Sequence, residues 1–152
     1  MKMHAWTSAA VAAAALLASL PAAAQFAKPE DAVKYRKAAF TVMGTHFGRI
    51  GAVVQGRVPY DAAAVTANAD LVFVASKLPY AGFVEGTAGT EKGSPKANVW
   101  SDRAKFDEAA KTMQDAVAKL QTAAKSNNLD QIKAAFGDAA GACKSCHDNY
   151  RN

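Results

Sequence analysis

Residues 129–150 read LDQIKAAFGDAAGACKSCHDNY, and their apolar positions recur at steps of three and four residues. This spacing places one stripe of side chains along a single face of an α-helix. The members of the stripe are Leu129, Ile132, Phe136, Ala139, Cys143, Cys146 and Tyr150. Asn128 precedes the stripe as an N-cap, with Gln131 three residues on, as in a capping box. Such a stripe is buried only against other helices, so we expect both cysteines to lie inside a helical bundle.

Three upstream segments also show helical periodicity, and the second shows it less cleanly than the other two. Cap or breaker residues bound them: Pro29 and Gly56 for the first, Asp61 and Pro79 for the second, and Ser101 and Asn127 for the third. Their inward stripes are Val33, Arg36, Phe40, Met43, Phe47, Ile50 and Val54; then Val65, Ala69, Val72, Ser76 and Leu78; then Arg103, Phe106, Ala110, Met113, Val117, Leu120 and Ala124. A glycine-rich loop, residues 82–97, joins the second and third helices. The fold class predicted is all-α, an antiparallel four-helix bundle.

The first 24 residues read as a secretory signal peptide. A basic start precedes an apolar run of about 12 residues, which is shorter than the ~20 that a membrane-spanning helix needs. Ala22 and Ala24 then form a small-residue cleavage site. We therefore expect residues 25–152 to be one exported domain with no membrane span. Since Lys2 leaves with the signal, the net charge falls from +5 to near +4. The sequence has no basic cluster with interleaved aromatic residues, so it does not predict nucleic-acid binding.

Residues 143–147 form a C-x-x-C-H motif, which is the attachment sequence of c-type haem. Residues i and i+3 share one helical face, so the thiols of Cys143 and Cys146 reach two vinyl groups on one porphyrin edge. A disulfide between them is allowed in an oxidising compartment. A thioredoxin-like pair lacks its βαβ context, and a structural zinc site lacks a fourth ligand. We predict thioether links at Cys143 and Cys146, and His147 as axial ligand of the haem iron.

A second axial ligand would have to come from another helix. After removal of the signal, the candidates are Met43, Met113 and His46. Both methionines lie on inward stripes, where methionine packs more often than it ligates. His46 lies off the main stripe, which favours a surface or subunit-contact role. The presence of a sixth ligand stays open on these grounds.

The mature chain resembles cytochrome c′ along its whole length. The matching stretches are QFAKPEDA (25–32), YR (35–36), HFGR (46–49), PYDA (59–62), LP (78–79), VWSD (99–102) and CKSCHDNYR (143–151). The resemblance implies a homodimer of four-helix bundles with one haem c per chain near the C-terminus. It also implies five-coordinate iron whose only protein ligand is the histidine of the motif.

Roles for the haem-pocket residues are likewise implied by the resemblance. Arg36 matches an arginine near a haem propionate, although the stripe alone also allows it to snorkel. Phe40 falls at the apolar residue that covers the open face of the iron, where many members have leucine. Tyr80 and Phe83 fall where members often carry an aromatic residue near the haem. Arg151 matches a basic residue on the proximal side.

Three functions are compatible with these features. The first is a periplasmic haem protein with five-coordinate, high-spin-type iron that binds nitric oxide, hinders carbon monoxide and exchanges electrons with an unidentified partner. The second is a six-coordinate, low-spin electron carrier with Met43 as second axial ligand. The third is a haem-free helical adaptor or metal-binding protein with an accidental motif. No acid–base pair, nucleophile–base arrangement or phosphate loop stands out, so we do not expect an enzyme.

A second stripe on the first helix mixes apolar and polar groups. Its members are Ala39, Val42, His46, Arg49 and Val53. It is either a self-association face for the expected homodimer or a contact with a neighbouring helix.

Overall fold

The computed structural model describes residues 25–152. The expected signal peptide, residues 1–24, lies outside the described residues. The helices are α1 (Pro29–Val54), α2 (Ala62–Ala75), the one-turn α3 (Asn98–Ser101), α4 (Arg103–Lys125) and α5 (Leu129–Tyr150), with a 3₁₀ turn at Pro79–Gly82 after α2. The four long helices confirm the predicted four-helix bundle.

Short connections set the antiparallel pairs of the bundle. Seven residues join α1 to α2 and three join α4 to α5, and both pairs pack closely. Helices α2 and α4 also pack together, while α1 contacts α5 and the 3₁₀ turn. In residues 25–152, no helix combines the length and apolar character that a bilayer crossing requires.

Side-chain caps begin two of the helices where the sequence predicted them. The Asp61 carboxylate accepts a hydrogen bond from the Ala64 amide at 3.0 Å. The Asn128 side chain accepts from the amides of Asp130 and Gln131, both at 3.0 Å. These bonds satisfy amide groups that have no partner within the first turn of a helix.

The predicted Ser101 cap is wrong. Ser101 ends the one-turn α3, and Asp102 precedes α4 instead. Asp102 makes no side-chain cap bond there and pairs with Lys105 at 2.7 Å. The chain turns from α3 directly into α4, because the Asp102 backbone departs from helical geometry at φ −128° and ψ 53°. The tandem arrangement of α3 and α4 makes Ser101 the end of one helix rather than the start of the next.

The inward stripes meet in one apolar core. It is formed by residues from all four long helices, including Ile50, Val72, Val117, Leu120 and Ile132. Two predicted stripe members are exposed rather than turned inward. Leu78 is exposed after the end of α2, and Arg103 is exposed at the start of α4, where it pairs with Asp107 at 2.8 Å. Both lie beyond the part of their helix that faces the bundle.

The two cysteines lie at the edge of the core and not in its interior, contrary to the sequence expectation. The buried residues of α5 are Ile132, Ala135 and Ala139, whereas Cys143, Cys146 and Tyr150 are half-buried. Helix α5 leaves the close-packed part of the bundle after Ala139. Its last two turns therefore present the motif to a rim that is built by the 3₁₀ turn and the glycine-rich loop.

Candidate haem site

The two thiols of the motif lie together on the last turns of α5. Cys143 packs against the core, and both cysteines are free thiols. Burial raises the pKa of the Cys143 thiol, and burial together with the charge of Cys143 raises the pKa of the Cys146 thiol. Two free, half-buried thiols on one helical face are an arrangement suited to paired thioether links.

Tyr80, from the 3₁₀ turn, lies next to these thiols. Its hydroxyl pKa is raised mainly by burial, and further by its closeness to Cys146 and Cys143. The phenol therefore stays protonated at neutral pH. The closeness of Tyr80 to the two cysteines shows that the 3₁₀ turn and the end of α5 lie on the same side of the bundle.

An aromatic cluster lines the same end of the bundle. It comprises Phe40 (α1), Tyr80, Phe83, Trp100 (α3), Phe106 (α4) and Tyr150 (α5). The Phe40 ring meets Tyr80 and Phe83 edge-on, with centroids 6.5 and 6.2 Å apart. Phe83 lies 4.9 Å from Phe106. Edge-to-face contacts of this kind fix ring orientation, so Phe40 is held by two neighbours.

Arg36 of α1 is buried below Phe83, with 4% of its surface exposed. Its guanidinium donates to the Gly82 carbonyl at 3.0 Å, to Thr87 Oγ1 at 2.6 Å and to the Thr87 carbonyl at 2.7 Å. The guanidinium carbon lies 4.9 Å from the centre of the Phe83 ring. Burial lowers the pKa of Arg36. No carboxylate of residues 25–152 forms an ion pair with it, so its charge is met here only by dipoles and a π face.

His147 is exposed beside the cysteines on α5. Partial burial of the imidazole and the nearby Arg151 cation lower the pKa of His147, and Asp148 partly opposes them. The Arg151 amide also donates to the His147 carbonyl at 3.1 Å. The imidazole is therefore neutral and accessible at pH 7, which is the state in which histidine ligates metals.

The three candidates for a sixth ligand lie in different surroundings. Met43 and Met113 belong to the apolar core, where they are 9% and 3% exposed. His46 forms a hydrogen bond between its Nδ1 and Asn68 Oδ1 of α2 at 2.8 Å. Met43 lies one turn after Phe40 on α1. Of these two residues, Phe40 is the one that contacts the aromatic cluster.

These residues fit a flat, apolar group that carries carboxylates. Two thiols and an imidazole lie on one edge, and aromatic side chains line the adjoining space. The buried cation has no anionic partner within the part of the chain that the structure describes. A porphyrin with two propionates has the complementary chemistry. Among residues 25–152, no group of three or more His, Cys, Asp or Glu side chains is placed to hold a bare metal ion.

Sequence reasoning missed part of this site. The sequence places Phe106 on an inward stripe but does not predict that it lies beside Tyr80 and Phe83, and it gives no sign of a role for Thr87. The periodicity of α4 could have suggested Phe106, since it lies on the same face as Met113. Nothing in a glycine-rich loop signals that Thr87 accepts hydrogen bonds from a residue 51 positions away.

Comparison with known proteins agrees with this geometry. A profile of the family described as Cytochrome C′ matches residues 31–151. The chain is 50% identical over 127 residues to cytochrome c′ of Alcaligenes xylosoxydans xylosoxydans, covering 84% of this chain and 98% of that protein. The crystal structure of cytochrome c′ from Rubrivivax gelatinosus superposes with a TM-score of 0.79 at 46% identity, covering 84% of this chain and 100% of that one. A nitric oxide complex of a mutant cytochrome c prime from Alcaligenes xylosoxidans gives a TM-score of 0.78 at 48% identity, covering 84% and 98%.

Proposed function

The chain belongs to the cytochrome c′ family and its cofactor is haem c, and from this we propose that it is a periplasmic haem protein that binds nitric oxide and transfers electrons. Ligand binding and electron transfer, rather than turnover of a substrate, are its roles. The export signal in residues 1–24 supports the periplasmic location, and residues 25–152 then form the mature haem-binding domain. Family membership disfavours the haem-free adaptor.

In this proposal Cys143 and Cys146 hold the haem through thioether bonds, and His147 is the axial ligand. The free thiols at i and i+3 and the neutral imidazole beside them support these roles. Arg36 offers a cation for a propionate, since its buried guanidinium has no carboxylate partner among the described residues. Bound haem supplies a redox-active iron that takes up small gaseous ligands.

The proposal that the iron has only one protein ligand rests on Phe40. Its side chain cannot coordinate iron, and the edge-on contacts with Tyr80 and Phe83 hold it in place. A crowded apolar side chain gives bound dioxygen no hydrogen bond, while nitric oxide binds ferrous haem without one. The same bulk hinders carbon monoxide. The open face of the iron, opposite His147, therefore selects gaseous ligands by their shape and polarity.

An absorption spectrum of the purified protein tests this reading directly. We expect a c-type haem by pyridine haemochrome, a high-spin ferric spectrum, and a new ferrous spectrum on addition of nitric oxide. A low-spin ferric spectrum that Met43→Ala abolishes would establish the six-coordinate electron carrier instead. A matched control is Met113→Ala, which removes a methionine of similar burial from α4.

We also propose that the protein is a homodimer through α1 and α2. Exposed apolar side chains lie on these two helices: Val42 is 48% exposed, Leu71 47% and Val74 59%. The bond between His46 and Asn68 shows that these parts of α1 and α2 lie side by side. Val42 precedes His46 by about one turn and Leu71 follows Asn68 by about one turn, so in this antiparallel pair we infer that they lie near each other. A contiguous apolar surface is typical of protein association.

Only part of the second α1 stripe is available for such an interface. Ala39 is buried within the subunit and Val53 packs on the core, while His46 bonds to α2. Sedimentation of the mature protein should show a dimer that Val74→Lys weakens. Val58→Lys is the matched control, because Val58 is similarly exposed (45%) but lies in the α1–α2 loop. A monomeric wild-type protein would contradict this proposal.

A further inference from the structure

Helices α1 and α2 share an outward face that is apolar and poor in charge. The large hydrophobic side chains that are exposed in residues 25–152 all belong to these two helices or to the short segments that follow them. They are Val42, Val58, Tyr60, Leu71, Val74 and Leu78. Helix α2 has one charged residue, Asp70, which bonds to Gln121 and Lys125 of α4. Such a face fits a second copy of itself better than a charged partner.

The His46–Asn68 pair joins α1 to α2 within one turn of the exposed Val42 and Leu71. The Asn68 amide has a fixed orientation, because its Nδ2 donates to the Ala64 carbonyl at 2.7 Å. Asn68 Oδ1 therefore faces His46 and lies 2.8 Å from Nδ1. An amide oxygen only accepts hydrogen bonds, so Nδ1 of His46 carries a proton and donates it. In the neutral ring Nε2 is then the acceptor.

The bond to Asn68 occupies only Nδ1 of His46. The imidazole is half-buried in the single chain, so its Nε2 edge stays available to a second copy. Among residues 25–152 the hydrogen-bond partner of the ring is this neutral amide, and no carboxylate pairs with it. Asn68 thereby decides which ring nitrogen can gain a proton, and that nitrogen is Nε2.

Few charges surround the His46 ring. On α1 the nearest is the exposed Arg49, one turn further along the same stripe. On α2, residues 62–69 contain no charged side chain; Asp61 caps the helix, and Asp70 bonds toward α4. The 3₁₀ turn is uncharged, and α5 packs against a different side of α1. A protonated ring would therefore lie near a second cation and gain no carboxylate.

We propose that His46 makes the homodimer sensitive to pH, so that the neutral ring is buried between two copies and protonation of Nε2 separates them. This inference rests on the proposed homodimer. A two-fold interface brings the same face of both copies together, so protonation places two cations in a region without carboxylates. Removing them from water is unfavourable, and the two Arg49 side chains add repulsion. Asn68 is the positioning residue of this switch.

Sedimentation of the mature holoprotein between about pH 5 and 8, followed by haem absorbance, tests the inference. Histidine ordinarily changes its charge in this range. The chain has three histidines, of which His4 belongs to the expected signal peptide and His147 to the haem site. If the interface lowers the proton affinity of each His46 about tenfold, acidification should raise the dimer dissociation constant about 100-fold, because two rings titrate.

Two variants separate titration of the ring from its packing. His46→Gln stays neutral, so its dissociation constant should remain near one value across the range. Asn68→Asp supplies a carboxylate for the protonated ring, so its dimer should become tighter on acidification, the reverse of the wild type. Gln121→Leu is the matched control. It removes a bond of 2.7 Å between α2 and α4, away from this face, and should keep the wild-type pH dependence.

The inference would be overturned by a wild-type dimer whose dissociation constant is the same at both ends of the range. Wild-type pH dependence in His46→Gln would also overturn it. If His46→Gln does not fold, Asn68→Asp decides, since it keeps His46, and acid dissociation of its dimer as in the wild type would contradict the switch. A wild-type protein that is monomeric at every pH would instead contradict the homodimer itself, and the inference with it.

Discussion

Replacement of Arg36 by methionine should lower the unfolding free energy of the holoprotein by about 3 kcal/mol. Three hydrogen bonds from a charged, buried donor are lost, and bonds to charged groups each contribute about 1.5–3 kcal/mol. Their lower limits sum to about 4.5 kcal/mol. Methionine also removes the desolvation cost of a buried cation, which offsets part of this loss. The carbonyl groups of Gly82 and Thr87 remain without their donors, so the balance stays unfavourable.

Arg36→Lys should cost less, about 2 kcal/mol, because a lysine keeps the charge but its ammonium cannot span acceptors on both residues as the guanidinium fork does. Lys37→Met is the control, since Lys37 is the exposed neighbour on α1, and surface changes of this kind stay within about 0.5 kcal/mol.

Urea unfolding at pH 7, followed by far-ultraviolet circular dichroism and extrapolated linearly, measures these differences. Hydrogen exchange should also show faster exchange of the loop amides near Thr87 in Arg36→Met. The reasoning would be refuted if Arg36→Met and Lys37→Met lost the same free energy, because the three buried bonds would then contribute nothing.

Three further perturbations address the pocket and its supports. Phe40→Ala should speed carbon monoxide binding to the ferrous protein about tenfold, as expected when the barrier falls by ~1.4 kcal/mol; an unchanged rate in stopped-flow measurements would rule out the steric role. Burial raises the pKa of Tyr80 above its ordinary 10, so above about pH 10 the folded state keeps a proton that the unfolded chain loses. The free energy of unfolding therefore falls as the pH rises above about 10. In urea midpoints across this range, Tyr80→Phe should make this decrease smaller and Tyr60→Phe should not. Gly82→Ala would place a Cβ 2.6 Å from a backbone oxygen of α1 and should cost about 2 kcal/mol, whereas Gly48→Ala, with nothing within 4 Å, should stabilise α1 by up to about 1 kcal/mol; thermal unfolding that ranks the two glycines the other way would contradict the close approach.

The helices of this protein were predictable because their signals are local. Asp61 and Asn128 cap helices by bonding to amides two or three residues on, and the three-four spacing depends only on neighbouring turns. Ser101 failed as a cap because two helices follow one another there, and only the backbone at Asp102 distinguishes the end of α3 from the start of α4. Leu78 follows Ser76 by only two residues, which is off the three-four spacing, and it lies past the end of α2.

The site was predictable only in part for a related reason. The motif at residues 143–147 is contiguous, so the sequence alone predicts its chemistry. The roles of Arg36, Phe40 and Tyr80 came from resemblance, since α1 and the 3₁₀ turn are separated by dozens of residues. Nothing in the loop predicted that Thr87 would accept hydrogen bonds from the buried Arg36.

By itself the sequence determined a helical bundle with a haem attachment motif near its end, because caps, periodicity and C-x-x-C-H act over a few residues. Tertiary structure alone decided that the cysteines lie at the edge of the core, that Phe40 is held edge-on by two aromatic rings, and that Arg36 is buried without a carboxylate partner among the described residues. It alone brought the loop against Arg151. These features depend on contacts between residues some 40 to 60 positions apart, whose energies no local pattern records.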